Sequence, residues 1–173
     1  RVGHGRIEFR DVCFAYQPER PIIRNLSFTV EPGQKLAIVG PSGSGKSTLA
    51  RLLFRFYDPD SGEIRIDDQP LPSVTQISLR KAIGVVPQDT VLFNDSIRHN
   101  VAYGRPDADA KEIDRVIDMA RLRGFVDALP EGDQTEVGER GLKVSGGEKQ
   151  RISIARVMLK KPPILLFDEA TSA

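Results

Sequence analysis

Gly40-Pro41-Ser42-Gly43-Ser44-Gly45-Lys46-Ser47 decides the reading of this chain. It fits the pattern G-x-x-x-x-G-K-[ST], and the spacing has a physical cause. Glycines let the backbone curl so that successive N–H groups point inward at phosphate oxygens. A helix opening at Lys46 adds the positive end of its dipole. Lys46 is then placed to reach the β- and γ-phosphates, and the Ser47 hydroxyl to bind Mg²⁺. A chance match in a chain of this length arises on the order of once in a couple of hundred sequences. The surroundings also fit. Leu36-Ala37-Ile38-Val39 reads as a strand buried on both faces. Leu49, Leu52, Leu53 and Phe56 fall on one helical face after the loop, with Pro59 to Gly62 ending that helix.

Outward from the loop, Arg6 to Val12 alternates as a half-buried strand. Ile22 to Val30 reads as another, with Leu26, Phe28 and Val30 on one face, and Glu31-Pro32-Gly33 is a turn. Glu63–Ile66 and Ile83–Val86 read as further strands. From Gln88 the pattern turns helical. Asp109 with Glu112 forms a capping box before the apolar face Ile113, Val116, Ile117 and Ala120. Gly132 to Gly141 is loop, Glu148 to Lys160 a helix stopped by Pro162-Pro163, and Ile164–Phe167 a buried strand. The expected organisation is a strand-rich core with a mostly helical insertion between about Gln88 and Gln150.

Two acids follow the last strand. Ligands of open α/β sheets bind at the carboxyl ends of strands, so Asp168 is the candidate metal ligand beside Ser47. Glu169, one residue on, is the candidate base that polarises the attacking water. A third element, Val144-Ser145-Gly146-Gly147-Glu148, has two compatible readings. Ser145 and Glu148 make a capping box, and a helix N-terminus with two bare glycines admits a phosphate closely. A chain that already carries one phosphate loop uses a second only on a nucleotide held by another subunit, which points to an ATP-bridged dimer.

Composition removes other classes. The chain has 173 residues, one domain or one with an insertion, with 15 glycines and 12 prolines, too few for a disordered low-complexity chain. Its 25 basic and 24 acidic residues leave +1, no field for a nucleic-acid backbone. No apolar run approaches the roughly 20 residues of a spanning helix, so direct membrane insertion by this segment is not expected. Arg1 to Arg6 lacks an apolar signal core. The single cysteine, Cys13, fits a reducing compartment. A first residue other than Met, and an end three residues past Ala170, read as a piece of a longer chain.

These motifs resemble the ATP-binding cassette of ABC transporters, and the resemblance covers essentially the whole chain. Gly40–Ser47 is similar to Walker A, with Thr48 completing the nucleotide contacts, and Ile164–Glu169 to Walker B with its catalytic Glu. Val144–Glu148 is similar to the signature, Gln88 after Val85-Val86-Pro87 to the Q-loop, and Tyr16 to the A-loop aromatic that stacks on adenine. Thr135–Gly141 and Leu92–Ile97 look like exporter loops. Leu53–Tyr57, Val86–Asp89 and Gly138–Lys143 resemble the mitochondrial and heavy-metal-tolerance half-transporters, which move glutathione-linked, metal-linked or porphyrin-like substrates.

The resemblance implies a P-loop NTPase (RecA-like) α/β core, residues 1–87 and 151–173, with an antiparallel β-subdomain. It implies an inserted α-helical signature subdomain at 88–150 and a missing C-terminal part. It implies ATP and Mg²⁺ held through Ser47, Gln88 and Asp168, with Gln88 also catalytic. It further implies a head-to-tail dimer of nucleotide-binding domains and a transmembrane domain on the same or a partner chain. The segment would face the cytosol or the mitochondrial matrix. Two departures stand out: Val144 and Glu148 replace the Leu and Gln of the usual signature, and Glu148 brings a negative charge near a phosphate site. The family's D-loop aspartate and switch histidine would lie beyond Ala173, so this piece alone is expected to bind ATP with weak or absent turnover. The competing expectations are a soluble ABC-type ATPase acting on DNA or ribosomes and a non-hydrolysing nucleotide-binding regulator.

Overall fold

The structure is a computed structural model that describes residues 3–41 and 43–167. It divides into two compact units, Arg1–Ile83 and Gly84–Ala173.

The first unit is built on a four-stranded antiparallel sheet in the order β2-β1-β3-β4. Its strands are β1 (Ile7–Ala15), β2 (Pro21–Val30), β3 (Ser61–Ile66) and β4 (Gln69–Pro70). The alternation that predicts β1 changes phase inside it: Ile7 and Phe9 are buried, then Val12 and Phe14. Asp11 takes a left-handed φ of 46° and inserts a bulge, which returns the later apolar residues to the inner face. Gly62 is required opposite that bulge, because a side chain there would strike the Arg10 and Asp11 carbonyls. Ile64 and Ile66 of β3 complete the inner face, and Phe9 stacks on Phe28 with centroids 4.6 Å apart.

The β3–β4 turn runs through Asp67 and Asp68, both at positive φ as a tight hairpin demands. The Asp67 carboxylate accepts the backbone N–H groups of Gly3, His4, Gly5 and Arg6 at 2.7–2.9 Å. Burial pushes that carboxyl up, but the four hydrogen bonds outweigh it and leave its pKa below the ordinary value. The helices are α1 (Lys46–Leu53), which buries Leu52 and Leu53, and α2 (Gln76–Ala82), capped by Thr75.

Two expectations fail here. Leu36–Val39 forms no strand, and Leu36, Ile38 and Val39 are exposed. The edges of this unit's sheet are β2 and β4, and neither pairs with that run; an apolar run becomes a two-sided strand only when neighbours supply both ladders and both faces. Phe56 lies beyond the end of α1 and is exposed, because the chain leaves the helix at Phe54 and turns through left-handed Arg55.

The second unit contains β5 (Ile83–Val86), which pairs with β8 (Ile164–Phe167), and the short pair β6 (Asp95–Ser96) and β7 (Glu136–Val137). Its helices are α3 (Ile97–Ala102), α4 (Ala110–Met119), α5 (Arg123–Asp127) and α6 (Gly146–Lys160). The capping box is present: the Asp109 carboxylate accepts from the Glu112 N–H at 2.8 Å. The predicted face of α4 is buried in a cluster with Ile97, Val101, Leu122, Val137, Ile152 and Leu159. The fully buried Asn100 is satisfied by the Phe93 N–H, by the backbone oxygens of Phe93, Asp95 and Ser96, and by Arg156. Strand β8 departs from expectation. Only Ile164 is buried, while Leu165 and Phe167 are 51% and 60% exposed, since β8 has one strand neighbour among the described residues. Among the described residues no helix is long and apolar enough to cross a membrane.

Candidate functional site

The first unit gathers the phosphate loop and Tyr16 at one helix. The loop enters α1 through Gly43 and Gly45, at φ 80° and 95°. A side chain at Gly45 would meet Ile22 Cγ2 at 2.9 Å, and one at Gly40 would meet Ser44 Oγ at 2.7 Å, whereas Gly43 faces open space. The glycines thus differ: Gly40 and Gly45 let the loop pack, and Gly43 faces open space at a left-handed φ. The Ser44 N–H donates to the Pro41 carbonyl at 3.1 Å, and the Lys46 ammonium donates to the Gly40 and Pro41 carbonyls at 2.6 and 2.9 Å. The chain's own groups therefore close the loop into a ring. Ser42 lies outside the described residues.

Helix α1 starts on Gly45 with no side-chain cap among the described residues and no acid in its first turn. Its first N–H groups have no intrahelical acceptor, and its dipole is unscreened. That fits a phosphate. Ser47 is exposed in the first turn, and Thr48 behind it is buried.

Tyr16 ends up beside this helix, just past β1. Its hydroxyl lies 3.2 Å from Thr48 Oγ1, and Arg51 Nη1 donates to it at 2.9 Å. Phe14 and Tyr57 stand near-perpendicular to its ring, with centroids 5.0 and 5.1 Å away. Burial pushes the Tyr16 phenol up, but the hydrogen bonds to Thr48 and Arg51 prevail and leave it below the usual tyrosine range. Tyr16 remains 39% exposed with its hydroxyl held by Thr48 and Arg51. Arg51 was not visible in any motif. Its signal was helical spacing: it follows Thr48 by three residues and so shares a face with it.

The second unit carries the other candidates. Gln88 is exposed just beyond β5 and Pro87. Ser145 caps α6, its hydroxyl accepting from the Glu148 N–H at 3.3 Å. Gly146 and Gly147 are exposed at that helix start, and Glu148 is half-buried. Asp168 and Glu169 lie outside the described residues. Among the described residues no cluster of three histidine, cysteine or acidic side chains could hold a metal. Taken singly, the Ser47 hydroxyl of the first unit and the Gln88 amide of the second are hard oxygen donors of the kind that Mg²⁺ takes.

The chain is similar to known proteins along its whole length. A family model described as ABC transporter matches residues 23–172. The chain is 60% identical over 169 residues to the iron-sulfur clusters transporter atm1, mitochondrial, of Aspergillus fumigatus, covering 98% of this chain and 23% of that protein. It is 59% identical over 172 residues to an ATM1-type heavy metal exporter of Novosphingobium aromaticivorans, covering 99% of this chain and 28% of that protein. It is 60% identical to ATP-binding cassette sub-family B member 6 of Homo sapiens, covering all of this chain and 20% of that protein. The solved structure of a bacterial Atm1-family ABC exporter with ATP bound matches with a TM-score of 0.93 at 58% identity, covering all of this chain and 30% of the other. The chain thus spans under a third of the length of these relatives.

Proposed function

The chain belongs to the ABC transporter family, and from that premise we propose that it is the ATP-binding cassette of a membrane exporter. The observation that carries the proposal is the loop that turns through left-handed Gly43 and Gly45 into the start of α1, which has no side-chain cap among the described residues, with Tyr16 tethered beside it. Backbone amides of Gly40–Ser47 wrap the phosphates, Lys46 neutralises them, Thr48 supports the loop from behind, and Tyr16 stacks on adenine. Ser47, Gln88 and Asp168 supply the oxygen ligands for Mg²⁺. The bound ion would offset charge developing on the phosphates. Glu169 takes the proton of the attacking water on its carboxylate.

Residues 1–87 and 151–173 form the ATP-binding core, and 88–150 the helical subdomain. Ser145–Glu148 meets a nucleotide held by a second cassette in a head-to-tail pair, which is why its glycines are bare and exposed. Gln88 couples that site to a transmembrane domain on the same or a partner chain, with this domain facing the cytosol or the mitochondrial matrix. Relatives named for iron-sulfur clusters and for heavy metals support a metal-linked substrate. The soluble DNA- or ribosome-directed ATPase is not favoured, since these relatives are named as transporters and exporters.

The test is the full-length polypeptide that carries this chain, reconstituted in liposomes, with Glu169→Gln. ATP binding should persist while hydrolysis falls by about 100-fold or more. Unchanged turnover would reject Glu169 as base; a wild type that binds no ATP would reject the reading as a whole.

A further inference from the structure

Tyr16 is held in place by a residue outside every motif. Arg51 donates Nη1 to the phenol oxygen at 2.9 Å, and its Cζ lies 5.8 Å from the ring centroid. Thr48, three residues earlier on the same face of α1, meets the phenol oxygen at 3.2 Å. Phe14 and Tyr57 pack near-perpendicular to the ring. The hydroxyl end of the ring is therefore fastened to the helix that begins with the phosphate loop, 35 positions away in sequence.

We propose that Arg51 is a positioning residue for nucleotide recognition: with Thr48 it ties the ring of Tyr16 to the phosphate-loop helix, so that base and phosphates meet one preorganised unit. This rests on reading Tyr16 as the adenine platform. The physical gain is entropic. A loose ring must be immobilised when a base stacks on it, and that ordering weakens binding by about two- to tenfold. A ring already fastened avoids it. The depressed phenol pKa is consistent with a hydroxyl engaged by a cation. Arg51 stands in the last turn of α1, whereas Ser47 is in the first, so its role differs from that of the phosphate-binding groups.

The experiment measures dissociation constants of ATP and of inorganic tripolyphosphate on the full-length polypeptide that carries this chain. Arg51→Ala should weaken ATP about three- to tenfold and leave tripolyphosphate unchanged. Arg51→Lys should recover part of the loss. Tyr16→Phe, which keeps the ring and removes only its tether, should repeat the selective loss. Adding Arg51→Ala to Tyr16→Ala should change nothing further. Equal weakening of ATP and tripolyphosphate, an Arg51 effect that survives in Tyr16→Ala, or no effect at all would overturn the proposal. A wild type that binds ATP no more tightly than tripolyphosphate would instead remove the platform reading itself, before any Arg51 variant is made.

Discussion

Helices α1 and α6 both begin at a run of serine and glycine, yet their N-termini are built oppositely. Helix α1 starts on left-handed Gly45, with no side-chain cap among the described residues and no acid in its first turn. Helix α6 starts on extended Ser145, whose hydroxyl accepts from the Glu148 N–H, and it carries Glu148 in that turn. A serine cap gives a helix about 1 kcal/mol, and an acid near the N-terminus roughly 0.3–1 kcal/mol more. Helix α6 thus has one of its first N–H groups bound by its own cap, and α1 has none so bound among the described residues. The difference supports the proposal that α1 holds the primary phosphate site. Under that proposal α6 contacts a nucleotide that another cassette already holds.

Lysine substitutions at the two starts should break the symmetry most visibly. Lys46→Ala removes the loop's cation and its bonds to the Gly40 and Pro41 carbonyls. Loss of hydrogen bonds from a charged donor, about 1.5–3 kcal/mol, predicts a ten- to hundredfold or greater rise in the ATP dissociation constant. Lys149→Ala, in the first turn of α6, should change it less than about twofold. Equal losses, measured by equilibrium binding, would refute the assignment of the primary site.

Alanine at the glycines comes next. Gly45→Ala places a side chain at φ 95° and within 2.9 Å of Ile22 Cγ2, and should cost about 1–3 kcal/mol of stability. Gly147→Ala lies inside α6 with only Ser145 Oγ, at 3.9 Å, in reach, so it should stabilise by up to about 1 kcal/mol. Calorimetry on the two variants should show melting shifts of opposite sign. If Gly147→Ala nevertheless lowers turnover in the full-length polypeptide, the bare backbone at α6 serves a ligand rather than the fold.

Local patterns carried much of this into the sequence. The Asp109 cap, the apolar face of α4, the Ser145 cap and the turn after β2 are set by residues within a few positions of one another, and each is found where the pattern puts it. What pattern could not supply is whatever depends on neighbours distant along the chain. Leu36–Val39 and β8 have the composition of buried strands, but burial is conferred by flanking strands and helices, not by the run itself. The bulge at Asp11 follows from its left-handed φ, with Gly62 set opposite it. At the site, the loop is a contiguous motif and was legible as such. Helical spacing puts Arg51 on the face of Thr48, but its pairing with Tyr16, 35 positions away, comes from the fold.

The smallest expected effect tests the acid itself. Glu148→Gln keeps the Ser145 cap, because that bond uses the Glu148 backbone N–H and not its side chain. It removes a negative charge from the first turn of α6, a change of about 0.3–1 kcal/mol in two places at once. The helix loses a favourable partner for its dipole, so stability should fall by that amount. A phosphate approaching Gly146 and Gly147 loses a repulsive neighbour, so ATP should be held about two- to fivefold more tightly in the closed pair. In a Glu169→Gln background, where bound ATP is not consumed, both quantities are readable on the same protein. Opposite signs are what a helix terminus shared between fold and ligand must give. A stability loss with no gain in affinity would mean that the start of α6 meets no phosphate, and that its serine and glutamate serve the helix alone.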